Sequence, residues 1–204
     1  MEVALSVSLG LGLSATCGFR VFVPLLCASV AAHLGWIDLG SGFEWMGTWP
    51  AMLAFGVAML FELAGYLVPW VDNVLDSIAT PMAVVAGIVL MASVVGGLPP
   101  LLRWSVAVIA GGGAAGTVQT GTVLVRGASS ATTGGAGNPA VSTAEASASV
   151  LGSVLSILLP FAAAFLVLLL LLFILYRWGR GNDKTNINRH RYGKSRSNSN
   201  LISN

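Results

Sequence analysis

Five stretches of this 204-residue chain are close to the length an apolar helix needs to cross a hydrocarbon layer. A layer of about 30 Å takes about 20 apolar residues in a helix. The stretches are residues 3–34, Trp49–Trp70, Pro81–Leu98, Leu101–Val125 and Ala146–Trp178. The last contains the unbroken run LVLLLLLFILY, and Pro160 within it is expected to kink the helix. Only 9% of the residues are charged, against 55% hydrophobic. Soluble domains carry about 25% charged residues, so lipid is the expected solvent. The fold class read from this is all-α, a polytopic helical membrane protein with one or two broken or re-entrant segments.

Charge is distributed unevenly. Arg177, Arg180, Lys184, Arg189, Arg191, Lys194 and Arg196 all follow the last apolar run, with Asp183 the one acid among them. Basic flanks mark the cytoplasmic side. Residues 1–178 are therefore read as the membrane domain and 179–204 as a disordered basic tail in the cytoplasm. A bacterial inner (plasma) membrane is the expected location. The tail is expected to lean on anionic lipid. The six tryptophans, Trp36, Trp45, Trp49, Trp70, Trp104 and Trp178, fall near ends of the runs, as interfacial aromatic belts do.

The position of the N-terminus depends on residues 3–34, which are interrupted around Ser14–Gly18 with Arg20 just beyond. Five single crossings put it outside. Two half-helices that enter and return put it inside. Glu2 replaces the basic residues that open a signal peptide, and none is read here. Cys17 and Cys27, placed on one helix, lie about 15 Å apart and do not reach each other.

Ionisable residues inside apolar runs carry the sharpest functional signal. Each costs roughly 2.5–3.5 kcal/mol at mid-membrane and usually faces a cavity or a partner. Arg20, Glu62, Arg126 and Glu145 are such residues, and Asp72 and Asp76 lie nearer an interface. Glu62 falls midway along its run, where a carboxylate needs a proton or a nearby cation. It is read either as a proton- or cation-coupling group or as the partner of Arg20 or Arg126. Arg20 follows a helix break, and half-helix ends make ion sites. Asp72 and Asp76 share a helix face and offer oxygen ligands for a divalent cation, or else cap a solvated turn.

Residues 127–142, GASSATTGGAGNPAVS, hold no charge and are read as a surface loop or a re-entrant segment. Arg126 precedes this segment and Asn138 lies within it. Its glycines let main-chain N–H groups converge on an anion, but the Gly-Lys-Ser/Thr ending of a P-loop is missing. Gly112 and Gly116 form a GxxxG pair that suits close helix packing, within the chain or between copies of a homo-oligomer. His33 is read as an interfacial histidine. No haem or zinc set, nucleophile elbow or dinucleotide fingerprint is present, so ordinary enzyme chemistry gains little support. The cofactor is unknown, and no specific nucleic-acid partner is expected. DNVLD at 72–76 lacks the companions of a membrane prenyl- or phospho-transferase, and a metal-dependent enzyme acting on lipid phosphates would need both of its aspartates.

Three segments in order, ATCGFRVFVPLL (15–26), ELAGYLVPWVDNVLDSIATP (62–81) and TTGGAGNPAVSTAE (132–145), resemble the membrane protein family defined by domain of unknown function 4126. The resemblance runs over roughly residues 3–175. It implies a small multi-span protein and adds weight to Arg20, Glu62, Asp72, Asp76, Asn138 and Glu145. It implies no activity. Each half of the chain also pairs a broken, glycine-containing segment near an arginine with an acid on a long helix, a weak echo of transporter inverted repeats.

Two functions follow as expectations. The first is translocation of a small solute or ion, with Arg20 and Arg126 attracting an anionic group and Glu62 coupling a proton or cation. The second is a non-catalytic subunit of a larger membrane complex, respiratory or photosynthetic, in which the charges are buried structural pairs.

Overall fold

The computed structural model describes residues 2–65, 69–174 and 176, with side chains at all of these except 69–77. Among the described residues the chain is helical and has no strand. It divides into a compact unit, Met1–Val167, and a second unit, Leu168–Asn204. In the second, residues through Ile174 are helical. The tail from 179 onward lies outside the described residues, as do the side chains of Asp72 and Asp76.

The first apolar run forms two helices, α1 (Glu2–Cys17) and α2 (Phe22–His33). The chain reverses between them, because Glu2 and the segment Trp36–Gly40 line one cavity. Cys17 ends α1 and Cys27 lies in α2, and both are free. They therefore sit on different helices and not on one. A 3-10 turn at Glu44–Gly47 leads into α3 (Trp49–Gly65). Pro50 falls in the first turn of α3, where a missing N–H does no harm.

Helix α4 (Pro69–Val94) carries Pro81 in its interior. The expected boundary at Pro81 is thus wrong: the ring removes one N–H but does not stop this helix. From Pro100 to Thr133 the chain is one continuous helix of 34 residues. It comprises α5 (Pro100–Val106), a π-helical stretch at Ala107–Gly112, and α6 (Gly113–Thr133). The π stretch lies where Gly111 faces Gly87 of α4. A Cβ on Gly111 would fall 2.6 Å from the Gly87 carbonyl oxygen, so two glycines allow the backbones to touch. Ser14 of α1 donates to that same carbonyl at 2.7 Å.

Gly112 and Gly116 also pack on α4, against Val84 and Ile88, within the chain. Leu13, Leu90, Met91 and Val95 are the large apolar side chains at the centre of this core.

The expected 16-residue loop at 127–142 is instead helical except for a turn at 134–137. Helix α6 runs on to Thr133, and α7 (Asn138–Leu158) begins four residues after Gly134. The hydroxyls of Thr132 and Thr133 donate to carbonyls a turn back, Ala128 and Ser129, which satisfies them without leaving the helix. Gly134 then stops α6 in the left-handed conformation at φ 63°.

Helix α7 ends at Leu158, and Leu159 is extended at φ −136°, ψ 67°. The residue before proline is pushed out of the helical region. The expected single long helix with a kink is instead a full reversal. Gly12 of α1 lies against both Ser156 before Pro160 and Ala163 after it. Residues seven apart in a straight helix would be about 10 Å apart along its axis. Gly152 also meets Thr16, and Val167 packs beside Ala15, so the chain returns along α1. The returning segment, through Val167, is the start of α8 (Pro160–Ile174).

Pro100–Thr133 and Asn138–Leu158 are long and apolar enough to cross a membrane by length and composition. Large apolar side chains point outward on several helices, among them Phe61, Leu101 and Ile109, at 75–80% exposure.

Candidate functional site

Four ionisable side chains expected from the sequence gather at the break between α1 and α2. Arg20, Glu62, Arg126 and Glu145 are all buried. They come from four places: the break itself, α3, α6 and α7. Isolated charges are far too costly to bury, so they must find one another or a set of donors.

Helix α1 ends in a tight turn in which Gly18, Phe19 and Arg20 donate back to the carbonyls of Ala15 and Thr16. A Cβ on Gly18 would lie 2.6 Å from the Ala115 carbonyl oxygen, so the turn packs directly on the α6 backbone. Thr122 donates to the Gly18 carbonyl at 3.4 Å. The tip is thereby fixed against α6, and Arg20 projects toward α7.

Arg20 Nη2 donates to the Ser142 carbonyl at 3.0 Å and to its Oγ at 2.5 Å. The same nitrogen lies 3.5 Å from Glu145 Oε2. Arg126 takes Glu145 from the other side. Its Nε donates to Oε1 at 3.0 Å, and its Nη2 pairs with Oε2. Glu145 is therefore held by two guanidinium groups, one of them in a two-pronged contact.

Glu62 does something different. Its Oε1 accepts the Val21 N–H at 2.8 Å, and its Oε2 accepts the Phe22 N–H at 3.0 Å. The first amides of a helix have no partner within it, and the helix dipole favours a negative charge there. A carboxylate from α3 thus caps the start of α2. Pro24, also in that first turn, has no N–H to satisfy. Of the two roles read for Glu62, coupling group or partner of Arg20 or Arg126, the described hydrogen bonds show this cap, while Arg20 and Arg126 act on it electrostatically.

A row of hydroxyls extends from the cluster along α7. Ser142, Ser149, Ser153 and Ser156 are all buried on the face toward α1. Ser149 Oγ donates to the Thr16 carbonyl at 3.2 Å, and Ser153 Oγ shares a hydrogen bond with Thr16 Oγ1 at 3.1 Å. The sequence reading passed over these serines. Their spacing of seven, four and three residues is a helical signal, but it becomes readable only once α7 is known to start at Asn138. The backbone amides of Val21 and Phe22 were missed too.

The other expected residues fall elsewhere. Asn138 sits at the α6–α7 turn, where its Nδ2 donates to Ser130 Oγ at 3.0 Å. The side chains of Asp72 and Asp76 lie outside the described residues. His33 Nδ1 bonds the Gly47 carbonyl at 2.9 Å and its ring meets Trp49 edge-on. Arg103 has a structural task. It binds the carbonyls of Ala92 and Ser41 and lies over the Phe43 ring, tying the end of α4 to the 37–43 segment. Among the described residues no three His, Cys, Asp or Glu side chains come together to hold a metal ion.

Comparison with curated proteins and with solved structures gave no match. A family model does match, over residues 7–180, and it spans the break, the capping glutamate and the Arg126–Glu145 pair. The chain belongs to the family described as domain of unknown function 4126 (DUF4126).

Proposed function

We propose that the chain is an integral membrane protein that translocates a small solute or ion through the site at the α1–α2 break. The single observation behind this reading is the convergence of four buried ionisable side chains on an interrupted helix hairpin. Charges of this kind in a lipid-facing fold usually mark a pathway. Interrupted helices are where transporters place substrate and coupling-ion sites.

The chemistry suits a small anion moving with a proton. Arg20 and Arg126 supply positive charge, and Glu145 holds both until an anionic solute competes for them. Glu62 is the coupling group, since taking up a proton would loosen its hold on the α2 amides. In this reading α1 and α2 form a re-entrant pair, entering and leaving on one side. The protein sits in a bacterial inner membrane with its basic tail in the cytoplasm. The experiment is solute flux in proteoliposomes for the wild-type chain and Glu62→Gln. Flux that the substitution leaves unchanged sinks the coupling role.

A second reading is a non-catalytic subunit of a larger membrane complex. It is favoured by the way Glu145 is already shared between two arginines, as a structural pair would be. Extraction in mild detergent, followed by particle mass and identification of whatever co-purifies, separates the two. A small particle of this chain alone removes the subunit reading.

A further inference from the structure

Among the described residues, helix α3 packs more on α2 than on α4. The gap is filled by two neighbouring cavities of about 320 Å³ and about 380 Å³, both bordered by Val21, Phe22 and Met82. Each falls in the size range of small-molecule sites, which are mostly apolar with a few placed polar groups. Along α4 the linings run from Ile78 to Val89, about 16 Å of helix. The mouth is open between Phe61 and Ile78, which are 75% and 48% exposed.

Among the described residues that line this crevice, Glu62 is the only ionisable side chain. It stands at the Ile78 end, beside Phe61. A carboxylate accepts about four hydrogen bonds. Among the described residues Glu62 accepts two, from Val21 and Phe22, one on each oxygen. Each oxygen therefore keeps acceptor capacity toward a slot whose other described lining residues are apolar. A molecule that seats there gains by placing a donor on Glu62 and an unbranched apolar body along α4. Arg20 and Arg126 both act electrostatically on Glu62, so a further cation at this carboxylate would meet two positive charges already nearby. That favours a neutral donor over a cationic one.

We infer that the crevice between α3 and α4 is a binding site for a neutral, chain-like amphiphile bearing one hydroxyl, with the hydroxyl donating to Glu62 and the tail running toward Val89. The slot fits an extended chain of about a dozen carbons at ordinary bond lengths. The site shares Glu62 with the proposed coupling role, but binding there does not require that the chain moves anything.

The test uses the full-length chain in lipid nanodiscs. The probe is dodecanol carrying a mid-chain photoreactive diazirine, and the comparator is dodecane carrying the same group. A buried hydrogen bond to a charged acceptor predicts about tenfold stronger labelling by the alcohol. The labelled peptides should come from α2 and α4. Ala58→Phe fills the slot from α3 and leaves the amide cap intact, and it should abolish the alcohol's advantage. Met82→Trp fills it from α4 and serves if the first variant does not fold. Equal labelling by alcohol and alkane overturns the proposal, as does alcohol labelling that persists unchanged in a folded slot-filling variant.

Discussion

Glu62, on the third helix, holds the start of the second by accepting the Val21 N–H at 2.8 Å, with Phe22 bonded to the other oxygen at 3.0 Å. The bond joins a side chain to the backbone across 41 residues. It turns the costliest feature of a helix in lipid, its unpaired first amides, into the attachment point of a neighbouring helix.

Replacing Glu62 should therefore act in steps. Glu62→Ala leaves two buried amides without acceptors, each worth about 1–3 kcal/mol. Glu62→Gln keeps one acceptor oxygen and should lose about half as much. Thermal or denaturant unfolding in detergent reads both. Equal losses for the two variants would show that the amides are not what Glu62 serves.

Glu145 is expected to be the least replaceable of the four charges. Glu145→Gln removes the carboxylate that two buried guanidinium groups share and should destabilise by about 3–5 kcal/mol. Arg126→Gln strands one carboxylate that Arg20 still partly covers, so its loss should be smaller. A double-mutant cycle between positions 126 and 145 should return a coupling above 1 kcal/mol, within the range of roughly 0.5–3 kcal/mol for residues in contact. Additive losses would argue that the pair is incidental.

The glycines of the continuous helix are predicted to differ sharply from one another. Gly111→Ala places a methyl 2.6 Å from the Gly87 carbonyl oxygen. It should cost about 1–3 kcal/mol by forcing α4 and the π stretch apart. Gly113 and Gly121 have open space where a Cβ would go. Alanine at either should be neutral or stabilising by up to about 1 kcal/mol. Melting temperatures of the three variants check the ranking.

At Gly134, φ 63° places the backbone in the left-handed region. A Cβ meets no neighbour there, so any loss in Gly134→Ala comes from backbone strain alone, about 1–2 kcal/mol. Gly134→Asn should lose less, because asparagine tolerates this conformation. A stability series over Gly, Asn and Ala at this one position reads it, and an Ala variant as stable as wild type would contradict it.

Much of the charge cluster was legible in the sequence, for one physical reason. An ionisable group in an apolar run must be compensated, so Arg20, Glu62, Arg126 and Glu145 announced themselves by cost alone. Their pairing was not legible. Glu62 went to backbone amides that exist as acceptor-seekers only because the chain breaks at 18–21. Residues 127–142 misled for the opposite reason. Gly, Ser and Thr read as loop chemistry, yet in α6 and α7 most hydroxyls bond carbonyls one turn back and the helices continue. The reversal at Leu159 was only half visible. Pro160 signals an interruption, but the fold-back rests on Gly12, far away in sequence, having no side chain to block Ser156 and Ala163.

The reach of Arg20 has a consequence for how the protein is made. Its partner Ser142 lies 122 residues downstream. At about 5–20 residues per second, the arginine emerges roughly 6–25 seconds before Ser142 and Glu145 are synthesised. During that interval the tip of the first hairpin has no α7 to dock on. The N-terminal helices are thus translated first, but their contacts with α7 form only once the C-terminal half arrives.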